Sequence, residues 1–195
     1  MKTSTLPRLF LFRHGETEWS RSGQHTGRTE IALTARGEEN ARALKTRIAE
    51  VSFAHVFVSP RLRARRTAEL AGLAGAAVVE PLLQEWDYGD FEGLTTAQIQ
   101  AERPGWNLFR DGASNGETPT DVAARADTLL ERLLRLDGDI ALFSHGHFLR
   151  SLGARWVEWP ISSSQRLFLA TASVSILGYE HQNREERVIE AWNVV

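Results

Sequence analysis

The chain has 195 residues, no cysteine and a formal net charge of -2. That length suits one domain over residues 1–195, and 42% hydrophobic with 25% charged residues is the composition of an ordinary soluble protein with a proper core. The lack of cysteine excludes disulfides, thiolate catalysis and thiolate-bound zinc, and the weak net charge argues against a nucleic-acid or anionic-membrane partner.

Lys2 and Lys45 are the only lysines, so a concentrated cationic pocket has to be built from arginine, whose planar fork suits phosphate. The first apolar run, Leu9–Phe12, is bracketed by Arg8 and Arg13. It is too short for a signal core or a membrane span, and the cytoplasm is the expected compartment. Continuous apolar runs of this kind fit strands buried on both faces, so Arg8–Arg13 is expected to be the first strand. Thr34 can cap a helix reaching about Glu50, with Ala41, Leu44, Ile48 and Val51 on one face. Ala54–Val58 reads as the second strand. Ser59-Pro60 reads as a cap and first helical residue of a helix toward Leu73. Ala76–Val79 is a weaker strand. From Leu82 to Glu117 the rhythm breaks into a Gly- and Trp-rich excursion with one short helix near Thr95–Glu102, the sort of long irregular segment that usually serves function. Thr118-Pro119-Thr120-Asp121 is a capping-box start for a helix with a core stripe of Val122, Ala126, Leu129, Leu133 and Leu136, ended by Asp137-Gly138. The strand Asp139–Phe143 follows. Beyond residue 160, Arg166–Ala170, Val174–Glu180 and Arg187–Trp192 read as strands that include an antiparallel edge. The alternation predicts an α/β fold: a three-layer sandwich with a mostly parallel mixed sheet flanked by helices.

Open α/β sheets bind ligands beyond the carboxyl ends of their strands. Those ends carry Arg13-His14-Gly15-Glu16-Thr17, Ser144-His145-Gly146-His147 and the cluster Arg61–Arg66. Two His-Gly turns and several arginines therefore converge on one rim. A neutral imidazole can attack phosphorus and form a phosphohistidine, while fixed cations hold the equatorial oxygens of the transition state. Arg13, a first-turn arginine of the cluster and a protonated His145 are the expected cations. The leaving alkoxide needs a proton, and Glu85 is the candidate donor, with Asp87, Asp90 and Glu92 as rivals. A metal site on His14 and His145 is disfavoured, since neither HExxH nor a close carboxylate cluster accompanies them. Trp86, Tyr88 and Trp106 are expected in the core or the pocket wall. There is no GxxxxGK[ST] loop for a nucleotide.

These residues resemble the signature of the histidine phosphatase superfamily, the phosphoglycerate mutase-like proteins. Gly23–Gly27, Leu33-Thr34 with Gly37, Ser59–Ala68, Leu83–Gly93, Gly116-Glu117-Thr118 and Ser144–Arg150 follow in the family's order over nearly the whole chain. Within the family the pattern is most similar to sedoheptulose-1,7-bisphosphatases and small bacterial acid phosphatases. The resemblance implies His14 as nucleophile, Arg13, Arg63 and His145 as the phosphate pocket, and Glu85 as proton donor. It singles out Arg63 among the clustered arginines. It also places Thr26 against substrate, flanked by Gln24 and Gly27. Ser20 and His147 depart from the pattern, for many members carry asparagine at one or the other. The Leu82–Glu117 excursion lacks the added basic residues with which mutases hold a second phosphate, since only Arg103 and Arg110 are basic there. The expected activity is therefore metal-independent hydrolysis of small phosphorylated metabolites, above all sugar phosphates, with no cofactor. The alternatives are a cofactor-dependent phosphoglycerate mutase and a non-catalytic phospho-ligand-binding module. A homodimer is left open.

Overall fold

The computed structural model describes residues 6–195. Six strands form one mixed sheet: β1 (Leu9–Arg13), β2 (Phe53–Val58), β3 (Ala77–Val79), β4 (Asp139–Ser144), β5 (Val174–Tyr179) and β6 (Arg187–Val194). Their spatial order is β3-β2-β4-β1-β5-β6. The first four in that order run parallel, and β5 and β6 join as an antiparallel edge.

The continuous apolar runs are explained by burial on both faces. Leu9 and Leu11 point to one side, where they meet Ile140, Leu142 and the helices α6 (Pro119–Leu133) and α7 (Gly146–Trp156). Phe10 and Phe12 point to the other, toward Ala141, Phe143 and the helices α2 (Ala35–Arg47) and α3 (Leu62–Leu70). Phe12 and Phe143 stack with ring centroids 4.5 Å apart, which locks β1 to β4. The three-layer sandwich is as expected.

Capping follows the sequence at two helices and departs from it at a third. The Thr34 hydroxyl accepts from Gly37 N–H at the start of α2, and Thr118 and Asp121 form a reciprocal capping box at α6. Ser59, however, does not cap α3, which begins at Leu62. Ser59 N–H instead bonds Phe143 carbonyl, continuing the ladder by one residue, and its hydroxyl faces a histidine. A short helix α1 (Glu18–Ser22), unforeseen in the sequence, is stabilised by a Thr17–Ser20 capping box. The excursion carries two short helices, α4 (Thr96–Glu102) and α5 (Leu108–Asp111), rather than one. Residues Arg166–Ala170 are not a strand. Side chains take the backbone groups that a ladder would use: Arg13 and Trp192 donate to the carbonyls of Leu169 and Phe168, and Asn193 accepts from Ala170 N–H.

Candidate active site

Strand register sets the site. Arg13 pairs with Ser144, and Val58 with Phe143, so three parallel strands end at one level. His14 steps off β1 and His145 off β4, with ring centroids 5.3 Å apart. The turn after His14 depends on close backbone contact. A Cβ on Gly15 would stand 2.4 Å from the Gly37 carbonyl oxygen, and one on Gly37 would stand 2.1 Å from that of Glu16. Only two glycines let the start of α2 press against this turn.

His14 is poised as a nucleophile. Its Nδ1 lies 2.7 Å from the Gly15 carbonyl, an acceptor only, so Nδ1 carries the proton and the Nε2 lone pair faces a cavity of about 220 Å³. Burial, and then the charges of Arg63 and Arg13, hold the imidazole well below its usual pKa.

Arg13 reaches the cavity with Nη1 bonded to the Leu169 carbonyl. Its buried Nε has no hydrogen-bond partner among the described residues. Gly146 makes room for it, since a Cβ there would lie 3.2 Å from the guanidinium.

Arg63 and His145 are fully buried beneath this floor. Arg63 donates from Nε to His145 Nδ1 at 3.1 Å. It donates to the carbonyls of Thr29, Thr26 and Gly27 from its other nitrogens, tying the 26–29 loop to the site. His145 then holds its proton on Nε2, 2.8 Å from the Ser59 hydroxyl. This corrects the expectation of an imidazolium: one ring nitrogen accepts, and burial plus the Arg63 charge push the group well below its usual pKa.

Glu85 lies on the cavity wall, and backbone N–H groups fix its carboxyl. Oε1 accepts from Trp86 at 3.0 Å and Phe148 at 2.8 Å, and Oε2 from His147 at 3.0 Å. Two of these donors belong to the first turn of α7, the helix that follows His145. Of the rivals, Asp87 pairs with Arg28, Asp90 accepts from Asn115, and Glu92 binds the N–H groups of Gly27 and Thr29.

Ser20, Gln24, Thr26 and His147 line the cavity. The Ser20 hydroxyl is engaged in the Thr17 box, and the Gln24 amide donates to the Gly93 carbonyl. Gly27 is not on that wall: its N–H binds Glu92 and its carbonyl binds Arg63, so it anchors the loop. Trp86 is in the core, and Arg110 lies outside, paired with Asp111.

His25, inside the Gly23–Gly27 stretch, is a candidate for the specificity side from the sequence; Arg150, Ser59 and Arg125 escape that reading in their roles. His25, half of a ring pair with His147, and Arg150 both line the cavity. Arg150 is held by the carbonyls of Ser164 and Gln165 and by the Phe109 ring, and burial lowers its pKa to about 10. Ser59 orients His145. Arg125 donates to the carbonyls of Leu82, Gln84 and Glu85 while paired with Glu117, and so supports the segment that carries Glu85. Membership of the family-like run Ser144–Arg150 is a signal for Arg150; Arg125 offers none.

An imidazole and a guanidinium that line one cavity at the carboxyl ends of parallel strands suit an α/β enzyme that handles phosphoryl groups. The chain matches the model of the histidine phosphatase superfamily (branch 1) over residues 9–194, and it belongs to that family. It is 42% identical over 186 residues to an acid phosphatase of Mycobacterium tuberculosis, covering 93% of this chain and 91% of that protein. It is 37% identical over 186 residues to a sedoheptulose 1,7-bisphosphatase of Saccharomyces cerevisiae, covering 78% of this chain and 68% of the yeast protein. The solved structure of an open reading frame from Mycobacterium tuberculosis superposes with a TM-score of 0.89 at 40% identity, covering 96% of this chain and 97% of that one. The chain is a histidine-type phosphatase, a phosphoric monoester hydrolase. No helix among the described residues is long and apolar enough to cross a membrane.

Proposed function

We propose that the chain hydrolyses small phosphorylated metabolites, chiefly sugar phosphates, by two in-line displacements at His14 without a metal. The observation that carries this reading is the His14 ring: Nδ1–H is pinned to Gly15 and Nε2 is free in the cavity beside Arg13. Nε2 attacks phosphorus, the P–O ester bond breaks, and Glu85 gives its proton to the leaving alkoxide. Water then attacks the phosphohistidine, Glu85 takes the water's proton, and the N–P bond breaks to release inorganic phosphate. Arg13 stabilises charge on the transferring group directly. Arg63 and His145 contribute from the floor, where an arriving phosphate competes for the donors that now join them. Hydrolysis of sugar phosphates is supported by the likeness to the yeast sedoheptulose 1,7-bisphosphatase, and by a cavity open enough for water and a small ester. Thr26, Gln24, Ser20 and His147 form the substrate side.

The test is phosphate release from sedoheptulose 1,7-bisphosphate, fructose 1,6-bisphosphate, 3-phosphoglycerate and p-nitrophenyl phosphate, with His14→Ala as control. Release that disappears in His14→Ala supports the proposal. Release that persists in the variant moves the nucleophile elsewhere, and isomerisation of phosphoglycerate without release turns the assignment to a mutase.

A further inference from the structure

The wall opposite the phosphate floor holds two histidines whose tautomers are set by their neighbours. His25 Nδ1 lies 2.7 Å from the Leu94 carbonyl. A carbonyl only accepts, so Nδ1 carries the proton and Nε2 presents a lone pair. His147 Nδ1 lies 2.6 Å from the Tyr88 hydroxyl. Tyr88 is buried, and this is its hydroxyl's only hydrogen-bond partner among the described residues. The phenol proton is therefore satisfied by donating to Nδ1, and His147 keeps its own proton on Nε2. The two rings lie nearly parallel, 21° apart, with centroids separated by 5.7 Å. Both line the cavity, and neither Nε2 is bonded to a described residue or sealed from it. Burial keeps both imidazoles below their usual pKa, so the pattern of one donor and one acceptor holds at neutral pH.

A hydroxyl group answers that pattern, because it accepts and donates at once. A carboxylate has no proton for His25, and an ammonium has no lone pair for His147. On rings this close to parallel the two Nε2 atoms are met by neighbouring hydroxyls of a polyol, one donating to His25 and one accepting from His147. Trp106 packs edge-on against His25 and Phe109 against His147, which fixes the two rings on the cavity wall.

We infer that His25 and His147 form a hydroxyl-reading pair, which selects phosphorylated polyols and sugars over equally sized alkyl phosphates, with Tyr88 as the positioning residue that fixes the His147 tautomer. The inference rests on the phosphatase reading above and narrows its substrate class.

The experiment compares kcat/KM for matched esters: glycerol 3-phosphate with n-propyl phosphate, and sorbitol 6-phosphate with n-hexyl phosphate. Two neutral hydrogen bonds predict a preference of roughly thirtyfold for the hydroxylated partner of at least one pair. In His147→Phe that ratio collapses to about fivefold or less, while His147→Gln, which can still donate, keeps an intermediate ratio. In Tyr88→Phe the ratio falls, and the 15N signals of His147 change from one tautomer to a mixture, a change that a merely structural tyrosine would not produce. A wild-type ratio near one for both pairs, with phosphate still released, overturns the inference and leaves the phosphatase intact. Failure to release phosphate from any ester, p-nitrophenyl phosphate included, sinks the phosphatase reading instead. The pair is then judged by the same ratios taken from calorimetric Kd values, and equal Kd values overturn it. A variant that does not fold leaves the wild-type ratios to stand as the test.

Discussion

Glu85→Gln changes one oxygen of a carboxyl that accepts three backbone N–H bonds, two at Oε1 and one at Oε2. Whichever oxygen becomes the amide nitrogen, at least one N–H of Trp86, His147 or Phe148 then faces another donor. An unmet buried N–H costs about 1–3 kcal/mol. For a chain of this size each kcal/mol lowers Tm by about 2–4 °C, so the variant should melt roughly 2–12 °C below the parent. The fold survives that loss, and the kinetic consequence can be read separately. An amide cannot protonate a leaving alkoxide, which removes a contribution of about 10²–10⁴ in rate for a poor leaving group. p-Nitrophenolate departs without a proton and should lose far less. The assay is kcat for sorbitol 6-phosphate and p-nitrophenyl phosphate in parent and variant, at a temperature well below both melting points. A loss of the same factor on both esters would refute Glu85 as the acid and leave it a brace for the start of α7.

The remaining expectations concern the metal, the turn and pH. Saturating EDTA should leave phosphate release unchanged, and a loss restored by added divalent metal would overturn the metal-free mechanism. Gly37→Ala places a methyl 2.1 Å from the Glu16 carbonyl oxygen, so the turn after His14 must shift. Overpacking of that kind costs about 1–3 kcal/mol, and both Tm and kcat should fall; an active variant of unchanged stability would show that the contact relaxes freely. Burial, with nearby arginine charge, depresses the pKa of His14, His145 and His147 in the folded chain. Below the unfolded value near 6.5 the unfolded chain binds more protons than the folded one, so stability falls as pH drops from about 6.5 toward the folded values. Each such histidine contributes up to about 1.4 kcal/mol per pH unit. Urea titrations at pH 7 and pH 5 measure this, and equal stabilities would count against neutral buried imidazoles.

The sequence by itself determined the layers and the rim. Leu9–Phe12 and Ile140–Phe143 are apolar at every position because both faces of their strands are covered, and that pattern is local. Thr34 and Thr118 announced their helices because capping is a contact over three residues. The rim is local too: His14 and His145 each sit at a strand end beside a glycine, and Arg13 closes the first strand. Tertiary structure alone decided what crosses long stretches of chain. Ser59 looked like a cap and became the partner of His145, 86 positions away. Arg166–Ala170 is a short apolar run that reads as a strand, yet Arg13, Trp192 and Asn193 claim its backbone groups. The protonation of His145 and the tautomers of His25 and His147 followed from Arg63, Leu94 and Tyr88, each far off in sequence. Charge and hydrogen-bond polarity at a buried imidazole depend on which atoms meet it in space, and one-dimensional order carries no record of that until the chain has folded.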